Sequence, residues 1–250
     1  MAERKKNRNR RRRRLLRSAV LLVLAIVLVI AILFVTPIFN IKNISVSGNN
    51  VVSLDSINAV IGDMIGKNLF STWDSTICER LKTIAYIDEA EVSRKLFPPT
   101  LNIKITECQT AAYFDVNGKK VIVNSDLKVL DDSNTFSLDG VPLIRGIEIN
   151  GYTLGRRLQI DDTEKSEALS IFLKTMTKTE QLGDVLYFDL TSITDLKFSY
   201  KGQIDVVCGS ALELDKKLRM LKAVMTSGSL SDDARGTIDL TNPEQAVHTP

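Results

Sequence analysis

The chain has 250 residues, with 33 Lys/Arg against 30 Asp/Glu and a formal net charge of +3. That charge is lopsided: residues 1–17 hold ten of the basic and one of the acidic residues, a net of +9, which leaves 23 against 29 and a net of −6. A basic globular protein is thereby excluded, and three widely spaced cysteines (Cys78, Cys108, Cys208) do not make a disulfide framework.

The basic run (Arg4, Lys5, Lys6, Arg8, Arg10 to Arg14, Arg17) stands directly before Ser18 to Val35, eighteen residues without charge or proline. As a helix at about 1.5 Å per residue this run covers roughly 27 Å, close to a hydrocarbon core of about 30 Å. Lys/Arg before a first span places that side in the cytoplasm. As a nucleic-acid arm the tail would bind phosphates without sequence preference, yet no aromatic or folded module accompanies it. A twin-arginine signal would carry sparser charge. The apolar run exceeds the 7–15 residues of a cleavable signal, and Phe34-Val35-Thr36-Pro37-Ile38-Phe39 contains no small-x-small site. It therefore reads as an uncleaved anchor, with residues from about Thr36 onward outside.

Beyond the membrane, Ile41 to Ser47 alternates and stops at Gly48-Asn49-Asn50, a strand and a turn. Ser53 caps a helix with Leu54, Ile57, Val60 and Ile61 on one side, ended by Gly62. A second helix after Asp74 places Ile77, Leu81 and Ile84 at i, i+4 and i+7. Ile87 to Arg94 and Leu101 to Thr106 are strands, and in the latter Leu101, Ile103 and Ile105 alternate with polar residues. Leu96-Phe97-Pro98-Pro99 connects them, because proline donates no ladder hydrogen bond. The predicted order is β-α-α-β-β, a three-stranded sheet with two helices on one face.

That order, with Val46-Ser47-Gly48-Asn49, Asn68-Leu69-Phe70 and the run Val92 to Glu107 (V-S-R-K-L-F-P-P-T-L-N-I-K-I-T-E), resembles the POTRA domain of the FtsQ/DivIB cell-division family. The run is similar to that family's valine, basic pair, aromatic-proline and "L-x-I-x-I-x-E" signature. It departs from it in Pro98-Pro99, where one proline is usual.

Asn117-Gly118 is a two-residue hairpin turn between Ala111–Phe114 and Lys120–Val123. Val129 to Asp132 follows, then Pro142-Leu143-Ile144-Arg145-Gly146, which resembles the family's "L-P-x-I-x-G". A helix over Thr163 to Lys178 presents Leu169, Phe172, Leu173 and Met176. Strands are predicted at Leu186–Asp189, Asp195–Tyr200 and Gln203–Val207, the last two joined at Lys201-Gly202. Ser210-Ala211-Leu212-Glu213 reads as a capping box. Its helix turns Leu214, Leu218, Leu221 and Met225 inward, with Glu213–Lys217 and Asp215–Arg219 as outer i, i+4 pairs. Thr237 to Leu240 is a last short strand before a polar tail.

The expected fold class is α+β: a single-pass membrane helix, then a POTRA domain (β-α-α-β-β) and a mixed α/β unit similar to the family's β-domain. The boundaries are 1–17 for the tail, 18–36 for the anchor, 38–107 for the POTRA unit, 108–241 for the β-domain and 242–250 for a flexible tail.

No catalytic, cofactor or metal site is expected. The single histidine, His248, sits near the end in a tail expected to fray, which opposes Ser-His-Asp or Cys-His chemistry. Cysteines spaced by 30 and 100 residues make no ligand cluster. The acid pairs Asp131-Asp132, Asp161-Asp162 and Asp232-Asp233 fit turns and helix caps, and Trp73 reads as a packing anchor.

The resemblance implies a non-enzymatic protein of the divisome that scaffolds or regulates septum formation, in the cell membrane at the septum, N-terminus cytoplasmic and C-terminus extracytoplasmic. Its partners would be division proteins of the FtsL and DivIC/FtsB kind, with membrane lipid around Ser18–Val35, and neither nucleic acid nor a small-molecule substrate. The family's partner-binding strand carries over to Gly236, Thr237, Ile238, Asp239, Leu240 and Thr241, where strand addition is expected. Ile238→Pro is then expected to abolish partner binding while the domain stays folded. The alternative to partner binding is that Thr237–Leu240 merely closes the sheet. Alternative functions are a POTRA-bearing translocation or secretion component, opposed by the absence of any repeat, and an anchored cell-wall enzyme.

Overall fold

The computed structural model describes residues 2–227 and 234–250. Helix α1 runs Ala2–Val35, and its portion Arg17–Val35 is long and apolar enough to cross a membrane. None of that portion is buried within the protein. An all-round apolar helix whose side chains stay unburied by protein suits lipid as its solvent.

The chain divides into two compact units, the first comprising residues up to Lys82 with Glu89–Thr106 and the second Thr83–Asp88 with Glu107–Pro250. In the first unit a short 3-10 turn, Pro37–Phe39, leads to β1 (Asn43–Ser47). Helix α2 (Leu54–Ile61) starts on Ser53, whose hydroxyl accepts the Ser56 N–H at 3.1 Å. Helix α3 (Asp74–Leu81) follows, then β2 (Ile87–Lys95) and β3 (Thr100–Glu107). The sheet order is β1-β3-β2, with β1 parallel to β3. The central strand buries Leu101, Ile103 and Ile105 with Ile57, Ile61, Ile77 and Leu81 of the helices.

The second unit carries a nine-stranded sheet. Its first five strands are β4 (Ala112–Val116), β5 (Lys119–Val123), β6 (Val129–Asp131), β7 (Leu143–Arg145) and β8 (Val185–Asp189). Then come β9 (Leu196–Tyr200), β10 (Ile204–Gly209), β11 (Gly236–Asp239) and β12 (Val247–Thr249). Their spatial order is β12-β11-β10-β9-β8-β7-β4-β5-β6. Asn117 and Gly118 both take positive φ (54° and 84°) in the β4–β5 turn, as a hairpin that matches strand twist requires. Helices α4 (Thr163–Lys178) and α5 (Leu214–Thr226) pack on each other and close the core. One buried row crosses the sheet in register: Val121, Phe114, Ile144, Phe188, Phe198, Val206 and Ile238. Phe172 of α4 stacks on Phe188 (centroids 3.8 Å, 5° between planes) and meets Phe198 edge-on at 5.3 Å.

Several expectations are corrected. The capping box does not form: α5 begins at Leu214 behind Glu213, which is left-handed (φ 51°) and makes no side-chain cap. Glu213 pairs with Lys216 rather than Lys217. Lys217 is instead buried, donating to the carbonyls of Cys208 (2.9 Å) and Ser210 (3.0 Å). Leu54 and Trp73 are exposed, Trp73 at 80 %, so Trp73 anchors no core. The tail after Thr241 carries β12 and places His248 in a ladder. Of the acid pairs, Asp162 caps α4 and Asp131 accepts the Ser133 N–H, both local turn roles. Asp232-Asp233 lies outside the described residues.

Candidate partner-binding surface

The predicted strand is β11 with Leu240 and Thr241 just beyond it, and the structure gives β11 two neighbours. On one side it runs parallel to β10, with Thr237 opposite Asp205 and Ile238 opposite Val206. A crossover through α5 supplies the length that parallel pairing needs. On the other side it is antiparallel to β12, pairing Thr237 with Thr249, Ile238 with His248 and Asp239 with Val247. The outermost strand at this end of the sheet is therefore β12, a strand that sequence periodicity missed. Three residues carry too short a pattern to register.

Burial divides the six predicted residues. Ile238 and Leu240 are fully buried in the core. Thr237 and Gly236 are half-buried, and Asp239 and Thr241 are exposed. An Ile238→Pro variant would thus disrupt the core row and both ladders, so it does not isolate partner binding. Gly236 has φ 110°, and a Cβ there would collide with the Thr249 carbonyl oxygen. Glycine is what lets β12 close onto the start of β11. His248 Nε2 lies 2.8 Å from the Arg235 carbonyl oxygen, tying the two strands again.

Beyond β11 the chain turns sharply. Asp239 Oδ1 accepts the Thr241 N–H at 2.8 Å, and that hydrogen bond holds the Asp239 carboxyl below the usual carboxylate range. Leu240 N–H donates to Val207 O at 2.8 Å, extending the β10 pairing by one residue. The Lys217 ammonium caps the β10 exit from beneath, so this corner is held by a buried cation on backbone carbonyls.

The groups suited to chemistry lie apart. Burial pushes the Cys208 thiol up to about 12 and also raises Cys108 and Cys78, opposing thiolate formation at neutral pH. All three cysteines are free. Among the described residues no three His, Cys, Asp or Glu converge to hold a metal ion. An open groove between Glu148 and Asp161 is lined by carboxylates, Arg156, Arg157 and amides. Its mixed charge favours no single ligand sign.

Residues 39–107 match a family described as "POTRA domain, FtsQ-type". Over 209 residues the chain is 26% identical to "Cell division protein DivIB" of Clostridium botulinum, covering 82% of this chain and 79% of that protein. The protein of the same name from Clostridium acetobutylicum is 25% identical over 219 residues, 85% of this chain and 84% of the relative. The Staphylococcus aureus protein of that name is 27% identical over 113 residues, only 45% of this chain and 26% of the relative.

Proposed function

Because the chain belongs to the FtsQ/DivIB family of cell-division proteins, we propose that it is a non-enzymatic single-span scaffold of the divisome. Its basic tail lies in the cytoplasm, and both folded units face outward at the septum. There they recruit or regulate septal wall synthesis through division proteins of the FtsL and DivIC/FtsB kind. The basic run directly ahead of an uncleaved apolar helix supports that orientation.

The observation that carries the partner surface is the end of the nine-stranded sheet. Its order terminates at β12, so the outer backbone edge of β12 has no further strand among the described residues. Such an edge is a template for an added strand. Gly236, Thr237, Ile238, Asp239, Leu240 and Thr241 then form the ledge that fixes β12. Thr237, Asp239 and Thr241 offer polar side chains beside it, and Val247 offers a half-exposed apolar one.

The test is the full chain carrying Val247→Pro or, separately, His248→Pro. N–H groups of successive strand residues point to opposite sides, so one variant removes an outward donor of β12 and the other breaks its β11 ladder as a control. Neither touches a buried apolar side chain. Loss of co-purifying division proteins from the outward-donor variant, with the chain still at mid-cell, is expected. Unchanged co-purification by that variant refutes the edge, and uniform membrane staining of a fluorescent fusion of the unaltered chain refutes the divisome reading.

A further inference from the structure

Where α1 meets the first unit, polar contacts replace a loose linker. The last carbonyls of a helix have no partner within it, and here Asn68 supplies one. Its Nδ2 donates to Leu33 O (2.9 Å) and Phe34 O (3.3 Å), while its Oδ1 accepts the Phe70 N–H (2.8 Å). The backbone is stitched on the same side by Leu69 N–H to Phe39 O and Ile41 N–H to Lys67 O, both 2.9 Å.

An aromatic chain starts at this junction. Phe34, in the last turn of the apolar helix, lies 6.3 Å from Phe70, which lies 5.7 Å from Phe39, which lies 6.3 Å from Phe97 in the β2–β3 turn. Phe97 is 65% exposed, Ile38 is exposed beside Phe39, and Trp73 is 80% exposed three residues past Phe70. The loop bearing Phe70 and Trp73 is held by Arg94 of β2, which donates to Leu69 O (2.8 Å) and Thr72 O (2.6 Å) and pairs with Asp74. A loop fixed at this expense, with its largest apolar side chain in the open, is built to present that side chain.

We propose that these rings form a lipid-facing foot by which the first unit rests in the headgroup region of the outer leaflet. The occupant follows from continuity: the ring chain begins on the helix that spans the bilayer, within one turn of its end. Tryptophan and phenylalanine at that depth match the aromatic belts of membrane interfaces. Asn68 is the positioning residue that makes helix and foot one body. The proposal rests on the reading of α1 as a span.

Trp73 is the only tryptophan in the chain, so its emission reports on the foot alone. The full chain is reconstituted into phosphatidylethanolamine/phosphatidylglycerol vesicles carrying a spin-label quencher either near the headgroup or deep in the acyl chain. Loss of emission with the shallow label, little loss with the deep one and protection from acrylamide are expected. Emission insensitive to both labels, or open to acrylamide, overturns the foot. Shielding that appears only when membrane extract is added assigns the patch to a protein and also overturns it. An alkaline carbonate wash separates the two premises: a chain released by the wash sinks the span and the foot together, whereas a retained chain with unquenched Trp73 sinks only the foot. Asn68→Ala should reduce shallow quenching without release by carbonate, and unchanged quenching removes Asn68 as the tether.

Discussion

The two folded units differ in what holds them. In the first, a small apolar core is supplemented at its periphery by polar side chains that grip backbone carbonyls: Arg94 holds the 69–74 loop and Asn68 the end of α1, where the second unit has Lys217 at one corner. The second is organised by apolar layers, with Phe172, Phe188 and Phe198 in mutual contact beneath a sheet of nine strands. A small three-stranded sheet offers little area for an apolar core, so directional hydrogen bonds fix its 69–74 loop. A nine-stranded sheet covered by two helices fixes its shape by packing. The only tryptophan falls in the first unit and all five tyrosines in the second, so each unit has its own optical reporter.

The contrast is broken most severely by removing the shared ring. Phe188→Ala in the detergent-solubilised full chain should cost about 3–5 kcal/mol in the second unit, the usual range for a fully buried phenylalanine. Hydrogen exchange of the β8, β9 and β10 amides should accelerate, with Trp73 emission unchanged. Exchange that rises equally in β1 and β3 would show that the units unfold as one and erase the contrast.

Arg94→Ala tests the other side. Hydrogen bonds to a charged donor contribute about 1.5–3 kcal/mol each when buried. Arg94 is partly wet, so a total near about 2 kcal/mol is expected. Its signature is local: faster exchange over residues 69–74 and a changed Trp73 emission, with tyrosine signals unmoved. Arg94→Lys should rescue little, since an ammonium cannot reproduce the guanidinium's fork onto two carbonyls and a carboxylate.

The same contrast sorts what was legible in the sequence. Elements with several turns of period were readable. Helix α4 spans Thr163–Lys178 as its spacing predicts, and the β-α-α-β-β order of the first unit follows from alternation and caps. Contacts that depend on chain segments far apart were not. Strand β4 lies beside β7, with Tyr113 opposite Leu143, and no local pattern encodes that neighbour. The false capping box is instructive. Ser210 and Glu213 have the right spacing, but burial of Lys217 against the Cys208 and Ser210 carbonyls winds residues 210–213 differently. Tertiary satisfaction of a buried cation outweighs a cap worth about 1 kcal/mol. Trp73 was misplaced for a related reason. Aromatic identity suggests burial, whereas Arg94 holds its loop in the open. Yet Asn68 and Arg94 both lie within the motifs that carry the family resemblance, so their positions were visible before their roles were.

The smallest effect separates the units by pH. Burial pushes the Tyr200 phenol up to about 12, with the Asp184 carboxylate, which accepts its O–H at 2.8 Å, adding to the rise; burial likewise pushes Tyr86 up to about 12. A group whose folded pKa is raised contributes stability that is full below its unfolded value, about 10 for tyrosine, and disappears as pH climbs through the folded value. Both phenols belong to the second unit. Between about pH 10 and 12 that unit should therefore lose stability through a route the first unit lacks, for the first unit contains no tyrosine. Lysines titrate in the same window and weaken both units, so the decisive comparison is internal. Tyr200→Phe keeps the ring in place but removes the titrating O–H. It should lower stability at neutral pH, because Asp184 and Gln181 lose their partner, yet flatten the alkaline decline of β8–β10 protection while leaving that of β1–β3 as before. A decline equally steep in Tyr200→Phe would mean that the Tyr200 phenol does not carry the alkaline limb, leaving it to the buried Cys208 thiol and Tyr86 phenol or to surface charge.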